Sequence, residues 1–534
     1  MGVRPRGRLW TRYLLASTIP CDTTMDPAAQ YDELLTRVRE AFLLTSTSAL
    51  LSWDEQCYMP PGGAAHRGNQ LALLAGLHHE RLTHPRIGEL LCALADSSLV
   101  ADPLAPAAVN VRELTRTYRR LSRLPRMLVE ELARTIPLSQ HAWVAARRDN
   151  KFADFAPWLN KILTLKRHEA EALLDDSYGP GATLYDALLD EYEPGARAAD
   201  IAELFAGLRN ELVPLVTKIT HARQQPNREL LRREFPLDRQ RLLAEEAARA
   251  VGFDFHTGRL DTAPHPFCTH IGPGDLRITT RFKTNDFNDS FFGVLHEVGH
   301  ALYEQGLEPE HYGTPLGEAV SLGIHESQSR LWENAVGRSR SFWQHFFPRA
   351  QRLFPDALGA ATLDEFYFAV NEVEAGPNRV QADEVTYNLH IIARFELEQV
   401  LLTGELPAAD LPGAWAEKYR HYLGVTPVTD SEGCLQDIHW CEGLLGYFPT
   451  YTLGNLYGAQ LFAAARRALP DLDVQFARGE FAGLLDWLRE NVHRHGHRFR
   501  PTELVERATG EKPSPRHFAA ALAAKFAPLY EISL

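Results

Sequence analysis

Apolar residues recur every three or four positions through most of the chain. Tyr31, Leu34, Leu35, Val38 and Phe42 form one such stripe, the spacing that gathers side chains on one face of a helix. The same period runs through residues 64–82, 107–136, 138–149, 154–175, 197–223 and 236–251. Turn-forming clusters separate these runs, among them Pro60-Pro61-Gly62-Gly63, Tyr178-Gly179-Pro180-Gly181 and Glu193-Pro194-Gly195. No unit of 20–50 residues repeats, which excludes a solenoid, and no low-complexity linker divides the chain. The pattern predicts a mostly all-α fold in a single domain, residues 25–534. Asp26 and Pro27 suit the N-cap and first position of its first helix. Residues 1–24 stand outside the pattern. Arg12 interrupts any apolar centre there, so the segment is expected to be a disordered extension or an upstream start and not a signal peptide.

One stretch has a different period. After the Gly272-Pro273-Gly274 turn, Leu276, Ile278, Thr280 and Phe282 alternate with Asp275, Arg277, Thr279 and Arg281. A period of two predicts a strand, here one arm of a small hairpin with residues 265–271. Its edge is expected either to hold an extended peptide, as in strand addition, or to be structural only.

Composition narrows the class. Hydrophobic residues at 45% and charged residues at 23% are those of a globular protein. Lys and Arg total 56 against 69 Asp and Glu, a net charge of −13, which argues against nucleic-acid or anionic-membrane partners. Six cysteines without a CxxC pair predict a reduced, cytoplasmic protein. No apolar run is long enough for a transmembrane helix.

The chemistry is concentrated just after the strand. Asp289-Ser290 is expected to cap a helix from Phe291, with Phe291, Leu295, Val298 and Leu302 on its buried face. His296 and His300 lie one turn apart with Glu297 between them, so both imidazoles can reach one zinc ion and Glu297 can act as base toward water. A catalytic zinc takes a third protein ligand and keeps one position open. No third histidine follows at the spacing HExxHxxGxxH requires. A glutamate on a following helix is the other source. That helix is expected to start near Thr314-Pro315 and end at Gly337, and spacing leaves Glu318, Glu326 and Glu333 as candidates.

Seven stretches, in this order, carry a resemblance. They are Leu51-Ser52-Trp53-Asp54 through Gly63, His265-Pro266-Phe267, Asp275 to Thr279, His296 to His300, His325-Glu326-Ser327-Gln328, Asn378-Arg379-Val380-Gln381-Ala382-Asp383-Glu384 and Gly433 to Trp440. Together they resemble the carboxypeptidase Taq family of zinc metallocarboxypeptidases. The resemblance implies a two-lobed helical fold with a deep central groove, related in shape to neurolysin and angiotensin-converting enzyme, and a homodimer. It implies removal of single residues from the free C-terminus of peptides, with broad specificity and proline disfavoured. It places one zinc per chain (cobalt or manganese as substitutes) on His296, His300 and Glu326, with Glu297 as general base. Arg379 matches the arginine that holds the substrate carboxylate; its alternative is a salt bridge with Asp383 or Glu384. His439, with Tyr447 or Tyr451, matches the donors to the developing oxyanion, and His265 and Arg277 fall in the substrate groove. An endo-oligopeptidase with the same zinc chemistry and a catalytically silent peptide-binding protein are the alternative functions.

Overall fold

The computed structural model describes residues 26–533; the expectation for residues 1–24 lies outside them. Helix follows helix from Pro27 to Tyr530, and three short strands make the one sheet among the described residues. The first helix, Pro27–Cys57, has Pro27 at its start. Its stripe buries Leu34 and Val38 completely, against Ile87, Leu90 and Leu94 of the helix Pro85–Leu94 and Val111 and Leu114 of the helix Pro106–Arg123. Each such side chain contributes roughly 1.5–3 kcal/mol. This small core is separate from the main one, which runs from Trp143 to Tyr530. No helix among the described residues is long and apolar enough to cross a membrane. Cys57, Cys268, Cys434 and Cys441 are free thiols.

Two helix boundaries differ from the pattern. The run 107–136 is two helices, Pro106–Arg123 and Arg126–Asp149, divided at Pro125. Pro125 has no N–H to donate and forces Leu124 into an extended conformation. Pro137, where the runs had seemed to part, lies inside the second helix.

The sheet has the order β1-β3-β2, with β1 Gly258–Thr262, β2 Cys268–Gly272 and β3 Asp275–Thr280. The hairpin is β2 and β3, paired antiparallel. β1, which carries no alternation of its own, pairs parallel to β3, with Leu260 opposite Ile278. Both edges of β3 are therefore occupied, and strand addition of a peptide to Asp275–Thr279 is ruled out. Thr280 fastens the end of β3 to the next helix through the Ser290 carbonyl.

Three helices then meet at close range: the histidine helix Phe287–Glu304, the short glutamate helix Leu322–Arg330 and the tyrosine helix Pro449–Ala468. Glycines set their separation. A Cβ at Gly299 would lie 2.5 Å from the Gln328 carbonyl oxygen, and one at Gly454 would lie 2.6 Å from Glu326 Cγ. Both distances are below any real carbon contact, so the glutamate helix is held between two backbones that only glycine lets approach. Gly454→Ala is expected to destabilise the protein by about 1–3 kcal/mol through overpacking, read as a lower denaturation midpoint. Gly76→Ala, at a helical position with nothing within 4 Å, should be neutral or slightly stabilising.

Candidate active site

The histidine helix begins one turn earlier than expected. Asp286 is its N-cap and accepts from the Asp289 N–H at 3.1 Å, while Asp289 pairs with Arg281. Leu295, Val298 and Leu302 are buried as expected, which turns His296 and His300 toward the glutamate helix. That helix starts at Leu322, not near Thr314-Pro315, which forms only a single 3-10 turn. Ser321 caps it through the Ile324 N–H at 3.0 Å. Beyond Arg330 it widens into a π turn, Leu331–Val336, and closes at Gly337.

His296 Nε2 lies 3.6 Å and His300 Nε2 3.3 Å from Glu326 Oε2. One donor atom from each of the three residues lies within 4.8 Å of the others. Glu326 is thus the glutamate that joins the pair. Glu318 is exposed, and Glu333 stands behind His296. This set of two imidazole nitrogens and one carboxylate oxygen suits a divalent cation such as zinc. Burial alone would raise the Glu326 carboxyl, but Arg330 and the two histidines hold it well below the usual carboxylate range. Burial pushes His300 down to about 3, which leaves its ring neutral.

Each donor is fixed from behind. Glu326 Oε1 accepts from Arg330 Nε at 2.7 Å, and Oε2 accepts from the Ser329 hydroxyl at 2.9 Å. Glu333 Oε2 lies 2.9 Å from His296 Nδ1 and accepts from Arg330 Nη1 at 3.2 Å. His300 Nδ1 lies 2.5 Å from His325 Nδ1, His325 Nε2 lies 2.8 Å from Glu304, and Glu304 reaches His270 Nδ1 on β2 at 2.9 Å. Both ligand rings therefore turn Nε2 toward the common point. Glu297 differs from these carboxylates: it is buried, and no side chain among the described residues hydrogen-bonds to it. Burial pushes it up to about 7, a value suited to a group that takes and returns a proton.

Aromatic residues of the tyrosine helix and the turn before it form the neighbouring wall. His439 Nε2 lies 3.2 Å from the Tyr451 hydroxyl, and the Tyr447 ring packs edge-on against Tyr451 at 5.4 Å. The hydrogen-bond partner of His439 is thus Tyr451, not Tyr447. Burial lowers His439 to about 4, and its Nδ1 is buried without a partner.

Arg379 is buried at 9% exposure. Its partner is neither Asp383 nor Glu384. Nε and Nη2 donate to Asp437 Oδ1 at 2.9 and 2.7 Å, and Nη1 donates to the Tyr387 hydroxyl at 3.1 Å. Asp437 also accepts from Arg394 at 2.7 Å. Asp383 instead caps Val385 and Thr386, and Glu384 pairs with Lys525. Arg277 is clamped by Asp275 and stacked 4.0 Å above Trp53 of the first helix, and His265 is exposed. Among the described residues neither hydrogen-bonds to the ligand set.

What sequence reasoning missed is the supporting role of Arg330, Glu333, Glu304, His325, His270 and Asp437, of which Glu333 had stood as a candidate ligand. One signal was available, since His296, His300 and Glu304 are spaced i, i+4 and i+8 on one stripe. A further support is Glu193, fully buried behind the glutamate helix. It accepts from the Gly323 N–H and the Tyr457 hydroxyl, each at 3.1 Å, and burial pushes it up to about 7.

Two predictions follow from these supports. Glu333→Gln should weaken metal retention by about 10–100-fold, measured by competition with a chelator. The folded protein holds the Glu193 proton more tightly than the unfolded chain does, so this carboxyl's contribution is fully present below pH 4.5 and is lost as pH rises toward 7. Glu193→Gln removes that slope. Relative to wild type, the variant should gain on the order of 2–3 kcal/mol between pH 5 and pH 8, read from paired denaturation curves.

Comparison with known proteins agrees with this geometry. The family described as carboxypeptidase Taq (M32) metallopeptidase matches residues 33–526. Thermostable carboxypeptidase 1 of Thermus thermophilus is 51% identical over 510 residues, covering 95% of this chain and all of the relative. Carboxypeptidase 1 of Bacillus subtilis is 36% identical, with 94% and 98% covered. The crystal structure of an M32 carboxypeptidase from Deinococcus radiodurans superposes with a TM-score of 0.91 at 41% identity, covering 94% of this chain and 100% of that one. His296, His300 and Glu326 form a group that could hold the metal of such an enzyme, and the chain belongs to the carboxypeptidase Taq (M32) family of metallopeptidases.

Proposed function

We propose that the protein removes single residues from the free C-terminus of peptides, with broad specificity and proline disfavoured. It does so with one zinc ion held by His296, His300 and Glu326, for which cobalt or manganese can substitute. The observation that carries this reading is the convergence of the two Nε2 atoms and Glu326 Oε2 beside a buried, unpaired Glu297. When bound, zinc supplies Lewis acidity toward the scissile carbonyl and acidifies water. Glu297 takes the proton of the attacking water and returns it to the leaving amine. His439 and Tyr451, with Tyr447 beside them, donate to the carbonyl oxygen as negative charge develops. Arg379 turns its remaining N–H edges to the terminal carboxylate, so that only the last peptide bond reaches Glu297. His265 and Arg277 bear on more distant parts of the substrate, at the groove. The same reading takes the protein to be a cytoplasmic homodimer.

One experiment tests the reaction. A peptide is offered with a free and with an amidated C-terminus, with and without a chelator, and the products are followed by mass spectrometry. Stepwise loss of single residues from the free form alone, and only with metal, is expected. Internal cuts in both forms would overturn the Arg379 assignment and leave an endo-oligopeptidase. Glu297→Gln should keep its metal while turnover falls about 10²–10⁴-fold; near-normal turnover in a metal-loaded variant would remove Glu297 as the base.

A further inference from the structure

A cleft of about 660 Å³ lies apart from the metal ligands, between the helix Pro106–Arg123, the turn at Tyr178 and the segment from Asp190 to Arg197. Its lining is strongly cationic. The helix Pro106–Arg123 contributes Arg112, Arg116, Arg119, Arg120 and Arg123, spaced i, i+4, i+7, i+8 and i+11 so that they share one face. Arg197 and Arg500, each preceding the first turn of another helix, face the same space. Two carboxylates, Asp175 and Asp190, complete the charged lining. Glu113, Glu191 and Asp186 pair with these arginines from the side. Seven guanidiniums against five carboxylates leave a formal excess of two positive charges, in a chain whose net charge is −13.

Structural duties account for part of this set. Arg120 and Arg123 stand at a helix C-terminus, where cations complement the dipole. Arg116 and Arg120 hold Asp190. Arg119, however, is exposed and has no ion-pair partner among the described residues. Arg112, Arg123 and Arg500 keep 35%, 35% and 33% of their side chains exposed while each bonds its partner. These four forks have N–H edges left to offer. Arg112, Arg119 and Arg123 span three turns of one helix, roughly 16 Å from first to last. A single phosphate engages one or two such forks, whereas a run of linked phosphates can engage several.

We propose that this cleft is a binding site for a polyphosphate anion, with two or more linked phosphoryl groups either free or carried on a nucleoside. The site is distinct from the catalytic centre but one short segment away from it. Asp190, in the cleft wall, is followed by Tyr192, whose ring meets Tyr447 at 5.2 Å, and by Glu193 behind the glutamate helix.

The test is isothermal titration calorimetry of the metal-loaded enzyme with pyrophosphate, tripolyphosphate, ATP and a hexaglutamate peptide, at one ionic strength. Saturable binding of one polyphosphate per chain is expected. It should weaken at least tenfold in Arg119→Ser/Arg123→Ser, with peptide hydrolysis unchanged. The single variant Arg119→Ser loses no ion pair among the described residues, and it should weaken binding by at least threefold without lowering the melting temperature. Equal affinity for tripolyphosphate and ATP would show that the phosphates alone are read; tighter ATP would add a contact to the nucleoside. Three results would overturn the proposal: no saturable heat up to millimolar anion, heat that persists in the double variant and so arises elsewhere, such as the metal centre, or binding of the peptide alone.

Discussion

A carboxylate withdrawn from water needs its counter-charges within hydrogen-bond reach, and Glu326 is withdrawn to 6% exposure. Much of the architecture serves that one requirement. The glutamate helix has to lie close enough to the histidine helix for Oε2 to face two imidazoles, and close enough to the tyrosine helix to keep solvent out. Gly299 and Gly454 allow both approaches. Arg330, one turn along, supplies the compensating cation from within the same helix. Breaking a buried pair of this kind costs about 3–5 kcal/mol, so position and protonation are set together.

The same logic extends outward through the ligand rings. The π turn after Arg330 brings Glu333 behind His296, and Arg330 bonds both glutamates. On the other side His325, Glu304 and His270 form a chain that ends on β2. This gives the small sheet a role in a helical protein. Its central strand β3 offers no peptide-binding edge, since it is paired on both sides. The sheet anchors the last residue of a support for His300, and through Arg277 on Trp53 it joins the first helix to the site.

How much of this the sequence shows depends on whether the information is local. The helical periods, the i, i+4 histidine pair and the alternation in β3 are properties of short windows, and all three hold. The break at Pro125 was present as a proline, but the apolar period runs through it and hid it. β1 has a single buried apolar residue, Leu260, and its parallel partner lies beyond an intervening strand, so nothing in its own five residues marks it. Glu326 could not be separated from Glu318 and Glu333 by spacing, because the helix start at Ser321 and the π turn reset the phase; the family resemblance made the choice. Arg379 was legible as an arginine near acids, yet its counter-ion is 58 residues away. That pairing is a property of the folded chain alone.

The shared carboxylate of Asp437 has a consequence for recognition. Arg379 and Arg394 meet over one aspartate, and burial lowers the adjoining His390 and His439, leaving both neutral. Two cations and one anion leave a single unit of positive charge in a water-poor wall. On the proposed reading this matches the charge of one terminal carboxylate. On that reading a C-terminal aspartate or glutamate would bring a second negative charge with no counter-ion in this wall. On that reading Asp437 is a ballast ion that sets how much negative charge the pocket would accept.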